Sequence, residues 1–127
     1  MSKILFVGHC GPDSTYLRMA VKSVAGDVTL SMADDGPALE RALAQGIDLI
    51  LFNRELGYGF EPAMGVEMIR NLKPRYPQVK MMLISNHVDA QAEAVAAGAL
   101  PGFGKRQIGS PQVRQLLREA MGAEIKP

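Results

Sequence analysis

Five short apolar runs punctuate the chain: KILFV (3–7), VTLSM (28–32), DLILFN (48–53), KMMLIS (80–85) and a weaker LPGF (100–103). Between them the apolar positions change to a helical period. The first such segment carries Leu17, Ala20, Val21 and Val24 behind Asp13 and Ser14, two residues suited to capping a helix. The second carries Leu39, Ala42 and Leu43, with Pro37 in its first turn and Gly46 after its end. The third, with Val66, Ile69 and Leu72, stops before Pro74. The alanine-rich DAQAEAVAAG ends at Gly98, and a fifth segment opens at Ser110-Pro111 and repeats Val113, Leu116, Leu117 and Ala120.

Alternation of five strands with five helices predicts an α/β domain built on a parallel sheet with helices on both faces. The runs at 3–7, 48–53 and 80–85 are the most apolar, so they belong in the middle of the sheet. That ranking fits the flavodoxin-like, doubly wound strand order 2-1-3-4-5. Ligands in such sheets bind beyond the carboxyl ends of the strands, where the first and third diverge. The residues to inspect are therefore 8–14, 53–60, 85–88 and 104–107.

At 127 residues the chain is one domain, 1–127, able to bury a core without staples. A net charge of +1 gives no nucleic-acid footprint. One cysteine excludes an internal disulfide and suits a reducing cytoplasm. MSKILFVG is too short an apolar run for a signal peptide, and no run has membrane-spanning length, so a cytoplasmic, soluble protein is expected. The closing GAEIKP reads either as the start of a linker to an output module or as the tail of a self-contained domain.

Asn53 ends the third strand, Ser85 the fourth, and Lys105 follows the fifth after AAGALPGFG. With the element order, this placement resembles the receiver domain of bacterial response regulators, the CheY-like fold, over nearly the whole chain. The resemblance implies two-component signalling. In that family an acidic pair after the first strand holds Mg²⁺ and an Asp ending the third accepts a phosphoryl group. A Ser or Thr and a Lys contact the phosphoryl oxygens. Magnesium needs hard anionic oxygens, and the acceptor must be a carboxylate able to form an acyl phosphate.

Here the apparatus is halved. Ser85 and Lys105 are retained, while Gly8, His9 and Cys10 occupy the neighbourhood of the acidic pair and Asn53 replaces the acceptor. An amide is a poor nucleophile and a weak metal ligand, so neither Mg²⁺ binding nor phosphotransfer is expected, and no enzyme activity. Asp13 is the nearest acid and reads as a helix cap. The loop NRELGYGFEPAMG is longer than receivers usually have, and Arg106 stands where the family has a Pro, so the preceding bond should be trans. Gly102 takes the place of the family's strand-five aromatic, with Phe103 one position later, which leaves Ser85 without an aromatic partner.

Lys105 then either keeps a phosphate contact or turns its ammonium to Asn53 or nearby carbonyls. Ser85 has a similar plain reading, a hydroxyl bonded to backbone. Tyr58 and Phe60 form either a docking tip or a cover over the vacated pocket. Arg114 and Arg118 flank the apolar stripe of the last helix, on the surface that receivers use for partners and dimers. The expectation is a pseudo-receiver that contacts a protein, whether a signalling kinase, an output domain or itself, as a monomer or weak homodimer. The alternative is a sensor of a small ligand or metal in a pocket of His9, Cys10, Asn53 and His87. A third reading moves phosphorylation to Asp13 or Glu55. A phosphatase-like cradle from Cys10 to Arg18 fails because Arg18 falls inside the first helix.

Overall fold

The computed structural model describes residues 3–9 and 11–121. Five parallel strands, β1 (Lys3–Val7), β2 (Thr29–Ala33), β3 (Leu49–Asn53), β4 (Lys80–Ile84) and β5 (Leu100–Phe103), form one sheet in the order 2-1-3-4-5. The helices are α1 (Gly11–Val24), α2 (Gly36–Gln45), α3 (Gly65–Leu72), α4 (Val88–Ala96) and α5 (Pro111–Ala120), with a 3₁₀ turn at Lys105–Gln107. This is the flavodoxin-like fold expected from the alternation. No helix among the described residues is long and apolar enough to cross a membrane.

The strand order follows from apolarity. Leu49–Phe52 and Met81–Ile84 are fully buried because helices cover both faces of β3 and β4, whereas edge strand β2 leaves three of its five residues exposed. Alternate residues feed two cores. Leu5, Val7, Ile50 and Phe52 pack with Leu39, Ile69 and Leu72 under α2–α4, and Ile4, Phe6, Leu49 and Leu51 pack with Leu17, Val113 and Leu117 under α1 and α5. The period of two within each strand therefore decides which helix layer each side chain meets.

Helix ends follow local chemistry. Asp35 accepts a hydrogen bond from the Ala38 amide at 2.9 Å and Ser110 from the Val113 amide at 3.3 Å, each followed by a proline in the first turn. One expected cap is corrected. α1 begins at Gly11, so Asp13 and Ser14 lie in its first turn, past the N-cap position. Pro12 suits that first turn, where no intrahelical N–H is needed.

Candidate functional site

The carboxyl ends of β3 and β4 and the turn after β5 surround a cleft of about 170 Å³ lined by Asn53, Arg54, Glu55, Ser85, His87 and Lys105 among others. Asn53 sits at its floor as the last residue of β3. Both protons of its amide are engaged: Nδ2 donates to the Gly8 carbonyl at 3.1 Å and to the Glu55 carbonyl at 2.8 Å. A carboxylate has only acceptors and would set its oxygens against those two carbonyls. The position is therefore shaped for an amide.

Lys105 corrects an expectation. Its ammonium goes neither to Asn53 nor to a carbonyl: Nζ lies 2.8 Å from Asp13 Oδ2. The first turn of α1 delivers Asp13 to the lysine, which suits a cation that needs an anionic acceptor. Glu55, the one carboxylate among the described residues that line the cleft, is held by Arg54 at 3.0 Å. Divalent magnesium takes several hard oxygen ligands. With one arginine-paired carboxylate and an amide that donates, the cleft does not fit such an ion. Among the described residues no group of three His, Cys, Asp or Glu side chains is arranged to hold a metal.

Ser85 is buried, and its Oγ accepts from the His87 amide at 3.0 Å, the plain role foreseen for it. His9 is also buried. Its Nε2–H donates to the Leu51 carbonyl at 2.9 Å, which fixes the tautomer, while Nδ1 has no partner among the described residues. Burial is the main cause that lowers its pKa from 6.5 to about 4, and the nearby Lys105 adds to the shift. His9 does not line the cleft, His87 is exposed at the start of α4, and Cys10 lies outside the described residues. Of the described residues of the expected ligand pocket, Asn53 and His87 share the cleft and His9 does not line it. Arg18 lies within α1, as expected.

Two features were not visible in advance. Gly8 has φ of +80°, and a Cβ on it would come within 2.9 Å of the Leu56 Cα and Cδ2. The long loop therefore closes the ground that the first acid of the pair would need. The second is Gln91, in α4. Its Nε2 donates to the Leu83 carbonyl at 2.8 Å and the Ser85 carbonyl at 3.1 Å, with a longer contact to Phe103, and its Oε1 accepts from the Gly102 amide at 3.2 Å. These bonds fill an irregularity in the β4–β5 pairing between Met82 and Ile84. A Cβ on Gly102 would overlap the Leu83 carbonyl and lie 2.9 Å from Gln91 Oε1. No aromatic residue fits at Gly102 in this arrangement, and Phe103 is buried under α1 and α5. The only sequence signal was Gly102 itself.

The loop 54–64 is tied down by the Leu56 amide to the Ala63 carbonyl at 2.7 Å, Gly65 to Arg54 at 2.7 Å and Gly36 to Gly59 at 2.9 Å. It divides its two aromatics. Phe60 is buried in the α2–α4 core and Tyr58 is fully exposed. Neither lines the cleft, so the expected cover over the pocket does not form. The peptide bond between Lys105 and Arg106 is trans, as expected; the cis bond is Glu61–Pro62. Arg114 borders a surface groove between α1 and α5, and Arg118, farther along α5, does not.

The fold is that of response regulator receiver domains. The RcsB response regulator of Salmonella typhimurium superposes with a TM-score of 0.74 at 14% identity, over 96% of this chain and 60% of the RcsB chain. The NtrC4 receiver domain dimer in its beryllofluoride-activated form matches at 0.72 and 17% identity, over 97% and 98% of the two chains. The signal receiver domain of a DNA-binding response regulator from Colwellia psychrerythraea matches at 0.72 and 16% identity, over the whole of both. No family model and no curated protein matches the chain. At these identities the likeness establishes the fold.

Proposed function

We propose that this chain is an atypical receiver of a two-component signalling system, acting as a protein-interaction module without taking a phosphoryl group. The observation that carries the reading is the Asn53 amide donating to the Gly8 and Glu55 carbonyls. That slot offers no carboxylate to attack phosphorus, and the closed ground at Gly8 leaves no room to rebuild a magnesium site. The Gln91 bonds support a domain held in one conformation, since the strand-five position where a receiver's aromatic would move is filled. The partner is a protein: a kinase, an output domain or another copy. The lone cysteine fits a reducing compartment, and the cytoplasm is the place this reading assigns it.

The test is intact mass after incubation with Mg²⁺ and acetyl phosphate, beside an active receiver as control. The expected outcome is a phosphoryl gain in the control and none here. A base-labile gain on this chain overturns the reading and points to Asp13 or Glu55. Both carboxylates are held in ion pairs with Lys105 and Arg54, which opposes that outcome.

A further inference from the structure

Two surfaces of opposite character are left over once the cleft is described. One is the groove of about 410 Å³ between α1 and the stretch leading into α5. Tyr16 and Met19, 59% and 62% exposed, line it together with buried Ile108. Arg106 and Arg114 supply two cations to its wall beside Lys105, which Asp13 already holds, and among the described residues no Asp or Glu lines it. The other is the loop tip. Tyr58 is fully exposed at its apex between Gly57 and Gly59, both at positive φ, on a loop whose backbone is hydrogen-bonded on either side. The tip is acidic. Glu61 and Glu55 flank it in sequence, the latter held by Arg54, and Gly59 lies beside the backbone of Asp34 and of the α2 cap Asp35, with its carbonyl bonded to the Gly36 amide.

We infer that the Tyr58 tip of one copy docks in the α1–α5 groove of another. The aromatic supplies the anchor, a role for which tyrosine is well suited. Glu61 and Asp34, the acids beside the tip that no ion pair or cap engages among the described residues, meet the Arg106 and Arg114 cations of the groove. The tip belongs to the helix layer of α2–α4 and the groove to the opposite layer of α1 and α5, so one molecule cannot satisfy both itself. The contact is therefore heterologous: each copy offers a tip to one neighbour and a groove to the next, and the assembly grows unless the rotation closes a ring. A single loop tip makes a small interface, so the association is weak and salt-sensitive. The inference rests on reading the chain as an interaction module and names a second copy as the partner.

Sedimentation velocity over a concentration series reaching millimolar protein, without Mg²⁺ or phosphodonor, tests it apart from the phosphate question. The expected result is a mass average that rises with concentration past the dimer, or to a closed ring, and falls back at high salt. Tyr58→Ser should weaken association more than about tenfold, and Arg106→Glu, at an exposed position, should do the same. Both variants should keep the wild-type melting midpoint; with Arg114→Glu added to the second, the charge reversal deepens. Mixing the two defective variants is decisive. Tyr58→Ser keeps its groove and Arg106→Glu keeps its tip, so the mixture should form a one-to-one dimer that grows no further. A wild-type chain that stays monomeric, a dimer indifferent to both variants, or a mixture that fails to associate overturns the inference. None of these outcomes alters the phosphate result.

Discussion

Replacing Gln91 by Met keeps the length of the side chain and removes every hydrogen bond of its amide. The Gly102 N–H then loses its acceptor, and the Leu83 and Ser85 carbonyls lose a donor. The Phe103 carbonyl keeps the Ser85 amide at 2.9 Å. A buried backbone group left unpaired costs about 1–3 kcal/mol. The position is half-buried, so water can recover part of the loss, and a net destabilisation of about 2–4 kcal/mol follows. With an unfolding entropy near 2.1 cal/mol/K per residue, that is a fall of roughly 7–15 °C in melting temperature. Thermal unfolding followed by circular dichroism measures the fall, and amide hydrogen exchange localises it. The Gly102 amide should lose protection while the Leu51 and Phe52 amides of β3 keep theirs. A variant that melts within about 2 °C of the parent, with Gly102 still protected, would refute the account of Gln91 as the tie between α4, β4 and β5.

Other outcomes follow from the same geometry. Asn53→Asp supplies a carboxylate but sets it against the Gly8 and Glu55 carbonyls; it should lower stability by about 1–3 kcal/mol in denaturant titration. It should also gain no phosphoryl group from acetyl phosphate with Mg²⁺, because Gly8 cannot accommodate a side chain; phosphorylation of this single variant would show that the site is only one residue from working. His9 is held neutral: its folded pKa of about 4 lies below the unfolded 6.5, so the unfolded chain binds the extra proton first. Its contribution is whole above pH 6.5 and falls away as pH drops towards 4, by about 3 kcal/mol in all. Denaturant midpoints of the parent and His9→Gln between pH 7 and 4 should converge as pH falls; parallel curves would remove His9 as their cause. Phe60→Ala should cost about 3–5 kcal/mol and Tyr58→Ala less than about 0.5, since one is buried and the other fully exposed; equal midpoints for the two would mean the loop does not pack as described.

The chain order of five strands and five helices, the central place of β1, β3 and β4, and a cleft at the carboxyl ends of β3 and β4 were all legible along the sequence. These properties come from local propensity and from runs of apolar residues, which neighbouring positions carry by themselves. That Asn53 and Ser85 end the third and fourth apolar runs and Lys105 follows the fifth was legible for the same reason. What those residues do was not. Asp13 looked like a cap because the first apolar-periodic residue follows it, yet Pro12 draws the helix start back to Gly11 and turns the carboxylate to Lys105, ninety-two residues away in the chain.

Tertiary structure alone decided the rest. It turned the Asn53 amide to two carbonyls, set the Leu56 backbone against Gly8, inserted Gln91 where Gly102 has no side chain, and parted buried Phe60 from exposed Tyr58. Each of these depends on which atoms meet within about 3 Å across the sheet, and hydrogen bonds and steric overlap vanish within a fraction of an ångström of that distance. Apolar periodicity determines which faces are buried and in what order the strands run; it carries no record of that last ångström.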